Sequence, residues 1–234
     1  MKDRIFNRTT LKYIAVSAML IDHIAMFFLP AGTIIYAVCR TIGRFCAPAM
    51  CFFLVEGFIH TSSRVQYGKR LLLFGLISQL PYSLALHHSL LAADFNMIIM
   101  LFLSFLMLCA YTKMRPGFLR VAVIVAIIIA SLWCDWGFFG PITVLIFYLN
   151  YADKRAKTIG YIITVLCMNA LLIGYHLDAD GNWYAELWQL GMFLFVPVIF
   201  LYNGSSGSVR PINKWFFYVF YPAHLLIIWL LLLI

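Results

Sequence analysis

The chain has 234 residues, 64% of them hydrophobic and 11% charged, with a mean hydropathy of +0.94. A soluble globular protein is about 45 to 50% apolar and about 25% charged, so these values exclude an ordinary water-soluble domain and leave lipid as the solvent. The net charge of +8 does not point to nucleic acid. The basic residues gather in short clusters between apolar runs, where they act as orientation signals.

Runs of about 20 apolar residues, the length of a spanning helix, recur from end to end and leave no stretch for a separate soluble domain. The expected fold class is all-α: one integral membrane domain over residues 1–234, a polytopic bundle of about nine spans. A β-barrel needs strands of roughly 10 residues that alternate apolar and polar, whereas Val121 to Ala130 is apolar throughout.

In chain order, the first span covers about residues 11 to 29 and is closed by Pro30 and Gly32. Asp22 and His23 inside it argue against a cleaved secretory signal. Further spans fall near residues 34 to 60, 70 to 87, 96 to 111, 118 to 134, 138 to 151, 158 to 175, 184 to 202 and 215 to 233. The stretch 138 to 151 is the shortest, rising about 21 Å against roughly 30 Å of hydrocarbon.

Alternate connections hold Arg64, Lys69 and Arg70; Lys113, Arg115 and Arg120; Lys154, Arg155 and Lys157; and Arg210 with Lys214. Together with Lys2, Arg4, Arg8 and Lys12 these are 15 of the 17 Lys and Arg residues. The remaining connections hold His87, His88 and Asp94; Asp135; and Asp178, Asp180 and Glu186. The positive-inside rule therefore expects a cytoplasmic N-terminus and a C-terminus outside. The six cysteines lie mostly in apolar stretches without a C-x-x-C pair, so neither a disulfide framework nor a metal site is expected.

Two arginines escape that tally. Arg40 and Arg44 lie within the second apolar stretch, where an ionisable group costs about 2.5 to 3.5 kcal/mol and must face a partner or a cavity. Their i, i+4 spacing puts both guanidiniums on one helix face, which suits a phosphate or carboxylate. The bland alternative is that they pair with Asp22 or Glu56 as bundle glue, or that Arg40 reaches outward. Pro48 removes the N–H that would bond the Arg44 carbonyl and so bends the helix there.

Asp22 and His23, mid-helix in the first span, make a general-base arrangement. Adjacent helical residues point about 100° apart, so Asp22 either orients His23 or serves an arginine of a neighbouring helix. Weaker polar signals are Glu56, Gln79, Asn96 at the start of the fourth span, and Tyr221-Pro222-Ala223-His224, whose proline frees the Tyr218 carbonyl. Trp188-Gln189 reads as a hydrogen-bonding pair between helices. His60, His87, His88 and His176 sit at span ends or in loops, where hydration accounts for them.

Several of these stretches resemble the TraX family of integral membrane proteins, related to acyltransferase-3-type membrane acyltransferases. They are Leu11-Lys12-Tyr13-Ile14-Ala15 leading to Met19-Leu20-Ile21-Asp22-His23, Gly43-Arg44 followed by Pro48, Glu56-Gly57-Phe58, Tyr67 with Arg70-Leu71, Ile77-Ser78-Gln79-Leu80-Pro81-Tyr82, and Phe220-Tyr221-Pro222-Ala223-His224-Leu225. The fourth helix departs from the family pattern at Asn96-Met97-Ile98-Ile99.

The resemblance implies a protein of the bacterial cytoplasmic membrane that moves an acetyl group from acetyl-CoA to an amine or hydroxyl of an acceptor: a peptide amine, a sugar or an envelope component. By that analogy His23 is the base or acyl carrier and Asp22 orients it. Arg44 and Arg40 hold CoA phosphate or an anionic group of the acceptor, and Lys69, Arg70 and Lys214 hold the nucleotide end. Glu56, Gln79, Asn96, Tyr221 and His224 line the acceptor side. The rival reading is a proton-coupled or anion transporter built on the same buried Asp, His and Arg. Transporters often carry paired broken helices in repeated halves, and the sequence shows no such repeat.

Overall fold

A computed structural model describes residues 5–179, 184, 186–207 and 211–234, with no side chain described at 179 or at 211–214. The fold is all-α, with no strand among the described residues, only the isolated bridges Phe6–Tyr202 and Phe95–Cys134.

Local sequence sets the helix ends. Helix α1 (Arg8–Phe28) starts where Asn7 accepts the Thr10 N–H at 2.9 Å, and it stops before Pro30. Helix α2 (Ile34–Gly43) is capped by the Thr33 hydroxyl, 3.3 Å from Tyr36 N. The chain breaks at Arg44 and Phe45 before α3 (Cys46–His60) begins, so the expected bend before Pro48 is a break between two helices. The missing proline N–H leaves the Arg44 carbonyl without its helical partner.

Helix α4 (Arg64–His87) begins earlier than the expected residue 70, because Ser63 caps it and its first turns carry the basic residues. Helices α5 (Met97–Lys113), α6 (Phe118–Ala130), α7 (Phe139–Leu149) and α8 (Lys154–Ala179) follow, α6 running on into a 3₁₀ turn at Ser131–Trp133.

The expected span 184 to 202 needs correction. It is a 3₁₀ stretch, Leu187–Phe195, followed by the short α9 (Val196–Leu201). Pro197 has no N–H for the Phe193 carbonyl, which interrupts the i→i−4 ladder between the two. The last helix is α10 (Pro211–Leu231).

Three helical stretches, Arg8–Phe28, Ile34–His60 and Lys154–Asp178, are long and apolar enough to cross a membrane. On α6 the large side chains of Val121, Val125 and Ile129, four apart, are all exposed, an apolar stripe that requires a lipid environment.

The helices form two compact units. The first comprises Met1–Met50 with Ile146–Val209, the second Cys51–Leu145 with Arg210–Ile234. In the first, α1 packs on α2, and the 3₁₀ stretch packs on α2 and α8. Its core holds Phe147, Tyr161 and Phe195 in mutual ring contact, with the Tyr161 hydroxyl donating to the Met192 carbonyl at 2.8 Å. In the second, α4 lies between α5 and α10, and α5 packs on α6. Phe74 stacks on Tyr218 at 4.7 Å there, and Phe105 meets Phe58 and Tyr67 edge-on.

Candidate functional site

The first unit gathers the buried charges. Asp22 of α1 and Arg40 and Arg44 of α2 are 5%, 8% and 8% exposed, so nearly all water has been stripped from three ionised groups. One carboxylate oxygen, Asp22 Oδ2, serves both arginines: Arg44 Nη2 donates to it, and Arg40 Nη1 lies 3.0 Å away as an ion pair. Asp22 Oδ1 and Arg40 Nε have no hydrogen-bond partner among the described residues. Among the described residues two positive charges thus meet one negative charge, with buried polar atoms left unpaired on Asp22 and Arg40, a condition that low dielectric makes costly.

Two glycines allow this geometry. A Cβ on Gly43 would overlap the Asp22 side chain, and a Cβ on Gly191 would overlap the Thr41 carbonyl. The first lets α1 and α2 close on each other. The second brings the 3₁₀ stretch onto α2, so that the Trp188 ring covers both guanidiniums, 4.2 Å from Arg40 Cζ and 4.7 Å from Arg44 Cζ. Such cation–π contacts contribute about 0.5 to 2 kcal/mol each. Beside them the buried Gln189 donates to Glu186 Oε2 at 3.0 Å, and its Oε1 has no partner among the described residues.

His23 is half-buried on α1, its ring 6.4 Å from that of Phe27. Of the two roles open to Asp22, the structure shows the arginine-binding one. Its Oδ2 faces Arg40 and Arg44, and its Oδ1 makes no hydrogen bond, so it does not orient His23 through one.

The remaining sequence candidates lie in the second unit. Glu56 is 2% exposed within α3. The neighbouring Gly57 leaves room for Tyr67, whose hydroxyl would sit 2.6 Å from an added Cβ. Arg70 lies beside the Tyr218 hydroxyl and 5.8 Å from the Tyr67 ring, and Lys69 is exposed. The Lys214 side chain falls outside the described residues.

Asn96 and Gln79 are scaffold. Asn96 Oδ1 caps α5 through Ile98 N and Ile99 N, while its Nδ2 donates to the Gly75 carbonyl and to Gln79 Oε1, both at 2.8 Å. The whole Asn96 amide is engaged inside the unit, leaving no group for a ligand. Tyr221 and His224 are buried on α10. His224 Nδ1 lies 2.8 Å from the Phe220 carbonyl, and because a carbonyl only accepts, Nδ1 carries the proton.

Sequence reasoning missed Gly43 and Gly191 as the residues that permit the close approaches, and it read Trp188 as a hydrogen-bond donor. An aromatic residue facing two arginines has no spacing signal when the two segments are far apart in the chain. Among the described residues no group of His, Cys, Asp and Glu could hold a metal ion.

A family model described as TraX protein matches residues 7–232. The "Probable fimbrial assembly protein FimC, serogroup H1" of Dichelobacter nodosus is 34% identical over 235 residues, covering 94% of this chain and 93% of that protein. No solved structure matches the chain.

Proposed function

From the premise that the chain belongs to the TraX family, we propose that it is a membrane acyltransferase that carries an acetyl group from acetyl-CoA to an amine or hydroxyl of an acceptor used in fimbrial assembly. The observation that carries this reading is the buried Asp22, Arg40, Arg44 and Trp188 cluster, two positive charges against one negative among the described residues.

Arg40 and Arg44 take an anionic group of a substrate through charge-assisted hydrogen bonds. Asp22 and Trp188 hold the guanidiniums in place beforehand, so little orientation is lost on binding. His23, next to Asp22 in sequence, is the base. The acceptor nitrogen or oxygen attacks the thioester carbonyl, the new C–N or C–O bond forms as C–S breaks, and His23 passes the acceptor proton to the departing CoA sulfur. Lys69, Arg70 and Lys214 are candidates for nucleotide phosphates by family analogy alone.

By charge pattern the basic loops face the cytoplasm. His23 lies five residues from the far end of α1, about 8 Å of helix. A donor arriving from the basic side therefore extends most of the way through the bilayer, which fits a long, narrow pantetheine arm.

The test is acetyl transfer from labelled acetyl-CoA by purified protein, wild type against His23→Ala and His23→Gln. The reading predicts a rate lowered about 10²- to 10⁴-fold in both variants, with acetyl-CoA still bound. Full activity in either variant removes His23 from the mechanism.

A further inference from the structure

On its basic side the second unit carries a patch of cations that no carboxylate faces. Helix α5 closes at Lys113 and α6 opens at Phe118, so Lys113, Arg115 and Arg120 gather around one short connection. Lys113 and Arg115 are exposed, and their side chains make no ion pair or hydrogen bond among the described residues. Arg120 is held against the end of α5. Its Nη1 donates to the Tyr111 carbonyl at 3.4 Å, and its Cζ lies 4.9 Å from the Tyr111 ring. That engages one of five N–H donors and brings in no negative charge. Arg64, at the start of α4, adds a further positive charge within electrostatic range of Cys109, one turn before Lys113.

The unit has three acidic residues, Glu56, Asp94 and Asp135. Glu56 is 2% exposed within α3 and so lies off the surface that carries the cations. Asp94 and Asp135 belong to the opposite end of α5, about 25 Å of helix away. The Phe95–Cys134 bridge draws them together there, and Asp94 is 2.8 Å from His87 Nε2.

An apolar stripe begins among the same cations. Phe118 and Leu119 are 89% and 67% exposed, and Val121, Val125 and Ile129 continue the Phe118 face down the helix. No described residue of α6 is buried, and the helix packs chiefly on α5. From Phe118 to Ile129 the stripe rises about 16 Å, against about 15 Å of hydrocarbon in one leaflet. A nucleotide or an acidic peptide would match the cations and leave the stripe unused. A charged head above a single-leaflet apolar track matches a phospholipid.

We propose that the α5–α6 connection is a binding site for an anionic phospholipid of the leaflet on the basic side. Lys113 and Arg115, with Arg120 steadied by Tyr111, take the phosphate diester, and an acyl chain lies along the Phe118–Ile129 face. A zwitterionic lipid brings its own ammonium group to the same cations and binds less well. The site lies wholly in the second unit and takes no part in acetyl transfer.

The test uses the purified full chain in detergent, incubated with dioleoyl phosphatidylglycerol or dioleoyl phosphatidylcholine, which share their tails. Bound lipid is counted by native mass spectrometry, and each variant's lipid-free unfolding midpoint is recorded. Wild type should hold phosphatidylglycerol about tenfold or more the tighter. Lys113→Gln with Arg115→Gln should weaken that binding about fivefold for each cation removed, at an unchanged midpoint. Lys113→Arg with Arg115→Lys, which keeps both charges, should bind like wild type. So should Arg155→Gln, which removes an exposed cation at the start of α8 in the first unit. Glycerol 3-phosphate should not displace the lipid.

Equal retention of the two lipids by wild type would mean an ordinary annular layer and overturns the proposal. Phosphatidylglycerol binding that survives the double glutamine substitution overturns it as well, as does an equal loss in Arg155→Gln. Displacement by glycerol 3-phosphate would leave an anion site without an acyl chain, which is also contrary to it.

Discussion

Gly43 lies against the side chain of Asp22, in space that any Cβ would fill. The absence of one methyl group is what lets α1 approach α2 closely enough for a carboxylate to reach two arginines. Gly43→Ala therefore forces the helices apart or Asp22 out of its rotamer, at about 1 to 3 kcal/mol for overpacking. Thermal unfolding in detergent should show a lowered midpoint. Gly174→Ala on α8, where an added Cβ meets nothing within 4 Å, should leave it unchanged or slightly raised.

Removing Asp22 is predicted to cost far more than removing Arg40. Asp22→Asn leaves two buried guanidiniums without their counter-charge, a loss of about 3 to 5 kcal/mol. Arg40→Gln leaves Asp22 with Arg44, a neutral pair. Unfolding midpoints of the two variants in the same detergent check the order; equal losses would contradict the shared-carboxylate geometry.

Trp188 is predicted to act through its face. Trp188→Phe keeps an aromatic surface over the arginines and should lower acetyl transfer only a few-fold. Trp188→Ala removes both cation–π contacts, about 0.5 to 2 kcal/mol each, and should lower it at least tenfold. Transfer rates of the two variants distinguish a stacking role from a donor role.

Asn96→Ala removes the cap of α5 and the bonds from Nδ2 to the Gly75 carbonyl and Gln79 Oε1, which predicts a loss of about 1 to 3 kcal/mol. It should also loosen the loop that holds Asp94. Hydrogen exchange at Asp94 to Asn96 should quicken in the variant, while α8, which belongs to the first unit, is unaffected.

The all-α fold and most helix positions were legible because lipid imposes long apolar runs, while the caps Asn7 and Ser63, which start α1 and α4 ahead of those runs, were not read. The disruption before Pro48 was legible from the missing N–H, as a bend and not as the break between two helices. The 3₁₀ character of Leu187–Phe195 was not, since its composition is as apolar as an α-helical span and its geometry follows from docking at Gly191. Of the site, the i, i+4 arginines and Asp22 could be named from their misplaced charges. Their joint use of one oxygen and the covering Trp188 depend on close approaches between α1, α2 and the 3₁₀ stretch. His87 read as a hydrated helix end because its partner, Asp94, arrives through a loop whose path is set by Gln79 and Asn96.

The central claim is that the arginine cluster takes an anionic group of a substrate, and the most direct measurement is acetyl transfer from labelled acetyl-CoA by purified wild type and Arg40→Gln, each with its unfolding midpoint recorded. The account predicts saturable transfer by wild type, lowered at least tenfold in a variant of similar stability. A folded wild type that transfers no acetyl group from acetyl-CoA, and moves a labelled solute across liposomes without it, would contradict the account and establish the transporter reading in its place.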